Sequence, residues 1–286
     1  MNRLLPFALA AALAAMPAAA IDWNKLKDLK KAVETVKDVK TAFATPEEEE
    51  ERALGADVAA TLLGASPTLA NAEVQKYVNR VGLWVALQGS RPTLPWRFAV
   101  IDNPNVNAFA TPGGFVFITS GLLERMNSEA ELAAALAHEI AHVERMHHLN
   151  AIKKDARLKL LGRGVGHVAK KNTDAEELER LNKVGTVAKG LYARGLDKAD
   201  EFEADRVGAV LAARAGYDPY GLAQVLQTLD AVNPGSSQFA LLFKTHPKPA
   251  DRLAELDKAL GAQFEALGAK PSGAERFAKV MARAQQ

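Results

Sequence analysis

Apolar residues recur every three or four positions along most of the chain after Pro46, a spacing typical of amphipathic helices. Two short runs differ, because Arg97–Ile101 and Phe115–Thr119 are rich in aromatic and β-branched residues. The chain is therefore predicted to have an α+β fold that is mostly α, with a small β-sheet. Helices are predicted over about 47–63, 72–87, 128–148, 198–215, 219–230, 249–265 and 272–284.

The segment between the two β-prone runs carries turn-forming residues. Asp102, Asn103 and Pro104 follow the first run, and Phe109–Gly114 ends in Pro-Gly-Gly before the second. The two runs are therefore predicted to form either a hairpin or two neighbouring strands joined by a structured loop.

The helix predicted from Ser128 carries two histidines on one face. Ser128 and Glu131 form the sequence signature of a capping box. His138 and His142 are four residues apart, so their side chains share a face and can bind one tetrahedral zinc ion. Glu139 lies about 100° around the helix, where it can take a proton from a metal-bound water without ligating the metal.

The alternative is a helix whose histidines are merely buried or solvated. Leu132, Leu136, Ile140 and Val143 give this helix an apolar side, so it is expected to be embedded in the protein. Two buried imidazoles without partners would be costly there, which favours the metal site.

A catalytic zinc takes three protein ligands and keeps one position open. The best candidate for the third ligand is Glu201, in a predicted helix that also carries Asp205 four residues later. Asp205 is expected to accept a hydrogen bond from the far nitrogen of a ligand histidine. Glu203 lies on another face, with a structural or solvated role. The alternative for the whole motif is a solvated acidic patch.

Composition narrows the chemistry further. Lys and Arg total 36 against 34 for Asp and Glu, a balance too even to predict nucleic acid as a partner. The chain has no cysteine, which excludes thiolate metal sites, a cysteine nucleophile and disulfides. Any transition-metal site must therefore be built from histidines and carboxylates.

The N-terminal residues are typical of a secretory signal. Arg3 precedes an apolar run over Leu4–Met16, and Ala18–Ala20 provides small residues at a cleavage site. We expect a signal peptide over 1–20, cleaved after Ala20, and an exported, periplasmic protein. The alternative is a membrane anchor, for which the run is short.

Residues 21–45 have apolar positions at helical spacing and lysines on the other faces. We expect an amphipathic helical arm that lies on the domain, a partner or a membrane surface, or else a solvated arm. The main domain is expected to span 46–265, followed by a C-terminal helix over 266–286. Within the domain, the basic segment 151–196 is expected to be a helical insertion.

Four motifs in one order resemble the zinc peptidase family that contains the CAAX prenyl proteases and the HtpX heat-shock protease. The resemblance covers about residues 48–260 and is strongest to soluble periplasmic members of the BepA type. The motifs are His138–His142, Glu201–Asp205, Asn107–Gly114 with Gly121–Leu123, and Thr245–Pro247 with Arg252. The resemblance implies a zincin-like domain with a small sheet beside the active-site helix, and one zinc ion per chain. It also makes Glu201 the third ligand.

The resemblance adds further candidate residues. It implies a substrate strand near Pro112–Phe117, so that Gly113, Gly114 and Phe115 would bind substrate. His246 would be a fourth metal ligand or a hydrogen-bond donor to the transition state, unless it only caps the next helix. Arg252 would steady the acidic cluster or the oxyanion, unless it is a surface arginine.

The resemblance implies hydrolysis of peptide bonds in misfolded or unassembled cell-envelope proteins. Its expected partners are such proteins, with peripheral contact to a membrane or an envelope assembly complex and without nucleic acid. We do not expect the helical repeat array of BepA-type members to follow the catalytic region here. Two alternatives are an envelope chaperone or assembly factor with latent or minor proteolysis, and a membrane-surface binding protein that uses residues 21–45.

Overall fold

The computed structural model describes residues 47–64, 66–162, 195–232, 237–267 and 270–284. They all belong to one compact unit that begins at Pro46. The predicted signal peptide and the amphipathic arm lie outside the described residues, as does most of the predicted basic insertion. Within the part of the chain that is described, every helix is too short or too polar to cross a membrane.

The described elements confirm a mostly helical α+β fold. The strands are β1 (Arg97–Ile101), β2 (Ala108–Thr111) and β3 (Phe115–Thr119). The helices are α1 (Glu48–Leu63), α2 (Ala72–Ala86), α3 (Ser120–Leu123), α4 (Glu129–Glu144), α5 (His147–Gly162), α6 (Lys198–Arg214), α7 (Gly221–Asp230), α8 (Ala240–Thr245), α9 (Pro249–Leu267) and α10 (Ala274–Ala284).

The sheet has the order β1-β3-β2. β1 pairs with β3 in parallel, from Arg97 opposite Phe115 to Ile101 opposite Thr119. The two predicted strands are therefore neighbours, but the hairpin alternative is wrong. The segment between them supplies a third strand, β2, which runs antiparallel to β3. β3 is thus paired along both sides, whereas β2 forms an edge of the sheet.

Helix α4 lies at the centre of the domain. Its residues are buried from Glu129 to Val143, and it packs against the sheet, α2, α6 and α7. The contact with α6 is very close: a Cβ atom at Gly208 would lie 2.7 Å from the backbone nitrogen of His138. Only a glycine allows this approach, which brings the polar side of α6 against the histidines of α4.

The predicted extension of α4 to His148 is wrong. The helix begins as expected, with the Ser128 hydroxyl accepting a hydrogen bond from the Glu131 backbone N–H at 3.2 Å. It ends at Glu144, and Met146 has a left-handed backbone with φ of 56°. The chain turns there and starts α5 at His147, so that the next two histidines fold back towards α4.

Helix α10 is attached to the first turn of α4 through the buried carboxylate of Glu129. This carboxylate accepts hydrogen bonds from the hydroxyls of Tyr77 at 2.7 Å and Tyr217 at 2.8 Å, and two from the guanidinium of Arg276. Burial alone would raise the pKa of Glu129, but these donors outweigh it and lower the pKa below its ordinary value. The cluster joins helices α2, α4 and α10 and the loop between α6 and α7.

Replacing Glu129 with Gln is expected to lower the free energy of unfolding by about 1–3 kcal/mol at pH 7, since it removes charge-assisted hydrogen bonds. A carboxyl whose pKa is lowered in the folded state stabilises the protein above its unfolded-state pKa and loses that contribution in acid. The deficit should therefore shrink below about pH 4. Denaturant unfolding at both pH values measures it.

The matched control is Glu275→Gln, which changes an exposed acid on the same helix, α10. It should leave the free energy of unfolding within about 0.5 kcal/mol of the unchanged protein. A deficit for Glu129→Gln that is equally large in acid would contradict the role given to the ionised carboxylate.

Candidate metal centre

The two histidines of α4 face each other as their spacing predicts. The Nε2 atoms of His138 and His142 lie 3.1 Å apart, and both side chains are buried. Two nitrogen ligands on one tetrahedral zinc would be about 3.3 Å apart, given Zn–N bonds of about 2.0–2.1 Å. The pair therefore has the separation that a shared metal ion requires.

Helix α6 brings the third predicted group to the same point. The carboxylate of Glu201 has Oε2 3.7 Å from His138 Nε2 and Oε1 3.6 Å from His142 Nε2. The Oε2 atom is buried and has no hydrogen-bond partner among the described residues. A buried carboxylate oxygen in that position is normally paired, and a metal ion between the three groups would pair it. The three residues fit a four-coordinate ion with one open position.

The electrostatics of the three groups favour a cation. Burial raises the pKa of Glu201 well above its ordinary value, against the opposing charge of Arg252. Burial also lowers the pKa of His138 and, more strongly, that of His142, so both imidazoles are neutral and keep a lone pair for a metal. A divalent cation among them would stabilise the ionised carboxylate.

Asp205 and Arg252 hold His138 from behind. His138 Nδ1 lies 2.9 Å from Asp205 Oδ1, and Arg252 donates to both oxygens of Asp205, from Nε at 2.9 Å and from Nη2. Burial alone would raise the pKa of Asp205, but Arg252 and His138 keep it well below its ordinary value. The carboxylate therefore takes the Nδ1 proton of His138, which leaves Nε2 free to face Glu201 and His142. Arg252 is buried, so its interpretation as a surface residue is wrong.

Glu139 lies beside the three groups and faces the sheet. Burial raises its pKa to about 8, while Arg252 and the backbone N–H of Ala110 in β2 favour the ionised form. The carboxyl is close to the pKa range that suits proton transfer near neutral pH.

His246 is brought to the site from the end of α8. Its Nε2 lies 3.6 Å from Glu201 Oε2, and its ring centroid is 5.9 Å from that of His138. Its Nδ1 lies 2.9 Å from the hydroxyl of Thr245. The residue is the C-terminal cap of α8 rather than a cap of the next helix, and its Nε2 faces the metal centre.

The residues expected to bind substrate lie at the turn between β2 and β3 and at the start of β3. Gly113 and Gly114 form the turn between β2 and β3, where the Gly113 N–H donates to buried Glu51 at 2.9 Å, against α1. Phe115 belongs to β3, which is already paired on both sides and cannot take another strand. The edge strand beside the site is β2, and a substrate role for Gly113, Gly114 and Phe115 stays a prediction.

Two cavities flank Glu139 and share Ala108, Glu139 and His246. The first, of about 340 Å³, is lined by Asn107, Ala108, Phe109, Glu139, His142, His148, Gly195, Leu196, Glu201, Thr245 and His246. The second, of about 380 Å³, is lined by Ala108, Leu122, Ala135, His138, Glu139, Leu222, Val225, Leu226, Leu229, Leu242, His246 and Arg252. The first is more polar than the second and is rich in histidine, whereas the wall of the second is mostly aliphatic.

His147 and His148 lie a few residues after His142, where the sequence allows either solvated side chains or side chains that support the ligands from behind. Both are buried and contact the ring of His142, which favours the second of these. Both side chains reach His142 because the chain turns at Met146. The turn contains no glycine or asparagine, so the sequence gives no sign of a left-handed residue there. Only their position, a few residues after His142, could have suggested proximity.

Comparison with known proteins agrees with this geometry. Residues 71–260 match peptidase family M48. A beta-barrel assembly-enhancing protease from Yersinia pestis is 29% identical over 219 residues, covering 75% of this chain and 45% of the relative. The protein of that name from Escherichia coli K12 is 29% identical over 199 residues, covering 68% and 40%.

Mitochondrial metalloendopeptidase OMA1 from Schizosaccharomyces pombe is 29% identical over 188 residues, covering 64% of this chain and 52% of the relative. The chain thus spans about half, or less, of the length of these relatives. The family match includes the histidines of α4, the acidic motif of α6, His246 and Arg252, and it extends over most of the described domain. The chain belongs to peptidase family M48.

Proposed function

We propose that this protein is a zinc-dependent endopeptidase, with His138, His142 and Glu201 as the metal ligands. The observation that carries the proposal is the buried group of two neutral imidazoles and one unpaired carboxylate oxygen, with the carboxyl of Glu139 beside it. A purely structural zinc site is closed by four protein ligands and has no use for such an acid.

When bound, zinc would polarise the scissile carbonyl and lower the pKa of a water molecule. Glu139 then takes a proton from that water as its oxygen attacks the carbonyl carbon. The same carboxyl gives this proton to the leaving amine as the C–N bond breaks. The products are a carboxylic acid, which keeps the oxygen of the water, and an amine. Asp205 and Arg252 keep His138 in the tautomer that presents Nε2.

We expect the substrate to bind along the edge strand β2. Ala108 and Phe109 line the cavity beside Glu139, and β2 has only one partner, β3, among the described strands. An extended peptide added to this edge would lie next to the metal centre. On this proposal, an extended peptide in an unfolded segment would be cleaved in preference to one in a folded domain.

His246 is close enough to take part in two ways. Its Nε2, 3.6 Å from Glu201 Oε2, is placed either to join the metal as a fourth ligand or to donate a hydrogen bond to the transition state. As a fourth ligand it would close the open position and make the resting enzyme latent.

The biological role that we propose is quality control in the cell envelope. The N-terminal signal and the relatives named for β-barrel assembly support an exported, periplasmic protease that acts on unfolded or misassembled proteins. Residues 21–45 would supply peripheral contact with a membrane or an assembly complex. The alternative is an envelope chaperone with minor proteolysis, which the presence of Glu139 disfavours.

Replacing Glu139 with Gln tests the mechanism. The variant is expected to lose about 10²–10⁴-fold in the rate of casein cleavage, since proton transfer is removed, while it still binds one zinc per chain. Cleavage assays and metal analysis of the same preparation measure both quantities. Undiminished cleavage would refute Glu139 as the base, and survival of chaperone activity alone would favour the alternative.

Replacing Glu201 with Gln tests the metal site. We expect zinc affinity to fall by more than the roughly 10–100-fold that loss of an outer-sphere partner costs, because a ligand itself is removed. Competition with a chromogenic chelator measures the affinity. The control is Glu265→Gln, an exposed acid on α9, which should leave the affinity unchanged. Equal affinities would exclude Glu201 as a ligand.

The aliphatic wall of the second cavity predicts a preference for a large apolar side chain next to the scissile bond. Val225→Phe narrows this cavity and should lower kcat/KM for peptides with Leu or Phe there by about 10-fold or more, relative to peptides with Ala. Val225→Ala widens it and should shift the ratio the other way. Mass-spectrometric mapping of cleavage positions measures the shift, and identical profiles for all three proteins would exclude this cavity as a subsite.

A further inference from the structure

His147 contacts His142, the ligand histidine whose Nδ1 has no carboxylate beside it among the described residues. The turn at Met146 directs His147 back to α4, where its Nδ1 lies 2.9 Å from the Nδ1 of His142. Both rings are buried, at 1% and 5% exposure for His142 and His147, so water does not compete for this contact. His138, by comparison, has Asp205 at its Nδ1.

Two ring nitrogens at this distance share one proton, and the metal centre determines which ring carries it. His142 faces His138 and Glu201 through Nε2, so that nitrogen must be unprotonated if it is to bind a metal. Because burial keeps the imidazole neutral, its proton is then on Nδ1 and is donated to His147. Nδ1 of His147 is therefore the acceptor.

The same reasoning extends one step further towards the surface. A neutral His147 that accepts at Nδ1 carries its own proton on Nε2. That nitrogen lies 3.5 Å from Oε2 of Glu203 and 3.9 Å from Oδ1 of Asp200, both on α6. The side chain of Glu203 is 39% exposed and is also held by Arg145, whose Nε lies 3.1 Å from Oε1.

We propose that His147 is a positioning residue that fixes the tautomer and orientation of His142, and that Glu203 in turn orients His147. The inference rests on the proposed metal centre. The two ligand histidines are then held differently: His138 by a buried Asp–Arg pair, and His142 by a second imidazole that leads to a partly exposed carboxylate. His147 does not touch substrate or metal in this assignment.

Asparagine and leucine at position 147 test the proposal as a matched pair. The Oδ1 of asparagine occupies about the place of Nδ1 and can accept the His142 proton, whereas leucine has a similar size and cannot accept it. In the full chain, H147L should weaken zinc affinity by about 10–100-fold, and H147N should stay within about threefold of the unchanged protein. Chelator competition measures the affinities.

A second measurement does not depend on activity. Nitrogen-15 NMR of the zinc-loaded protein, labelled at histidine, reports whether the Nδ1 proton of His142 is hydrogen-bonded. That proton should be hydrogen-bonded in the unchanged protein and in H147N, and should lose its hydrogen bond in H147L. This readout also covers the case in which H147L folds less stably, since the unchanged protein and H147N already give a decisive result.

Several outcomes would overturn the proposal. Equal zinc affinity in both variants would show that the contact has no effect on the metal site. Equal losses in both would show that His147 acts through packing alone, as would an Nδ1 proton on His142 of the unchanged protein that is not hydrogen-bonded. If the unchanged protein bound no zinc at all, the proposed metalloendopeptidase would fail with it. Normal zinc binding and cleavage in all three proteins would refute only the role of His147.

Discussion

The close crossing of α4 and α6 determines where every charge of the metal centre lies. Gly208 lets the two backbones approach until no side chain fits between them at His138. One turn of helix separates Gly208 from Asp205, and a further turn separates Asp205 from Glu201. Both carboxylates are therefore aligned along the histidine face of α4. A wider crossing would move both carboxylates away from the histidines, which would then be neither oriented nor joined by a third ligand.

This arrangement buries several ionisable groups, and the fold balances them in pairs. Arg252 from α9 neutralises Asp205, which removes one negative charge from the centre. Glu201 is left without such a partner, and burial raises its pKa well above the ordinary value. This unbalanced negative charge lies at the point where the lone pairs of the two ligand imidazoles converge. A divalent cation resolves it, which is why the metal is better understood as part of the folded centre than as an addition to it.

The sequence predicts the parts of this site that depend on one helix. The spacing of His138 and His142 is enough, because helix geometry alone sets their separation. Predicting Glu201 as a ligand required the further assumption that a second helix packs on the first. Placing Arg252 and His246 at the site required the resemblance to a family. Strand β2 was not predicted because Ala108–Thr111 is short and contains two alanines, which have little strand preference. The turn at Met146 was missed since nothing in its sequence marks a left-handed residue.

The failure to predict that turn affects the chemistry as well as the fold. Had α4 continued to His148, helical periodicity would have carried His147 about 140° away from the face of His142. The left-handed residue instead places a second imidazole where His138 has a carboxylate. An imidazole is neutral, so it orients His142 without adding a negative charge to a centre that already buries Glu139, Glu201 and Asp205. A carboxylate at that position would perform the same orientation at a greater electrostatic cost. One ligand histidine is therefore held by a carboxylate and the other by an imidazole. This is consistent with a centre whose buried negative charge is already as large as one arginine and one divalent cation can balance.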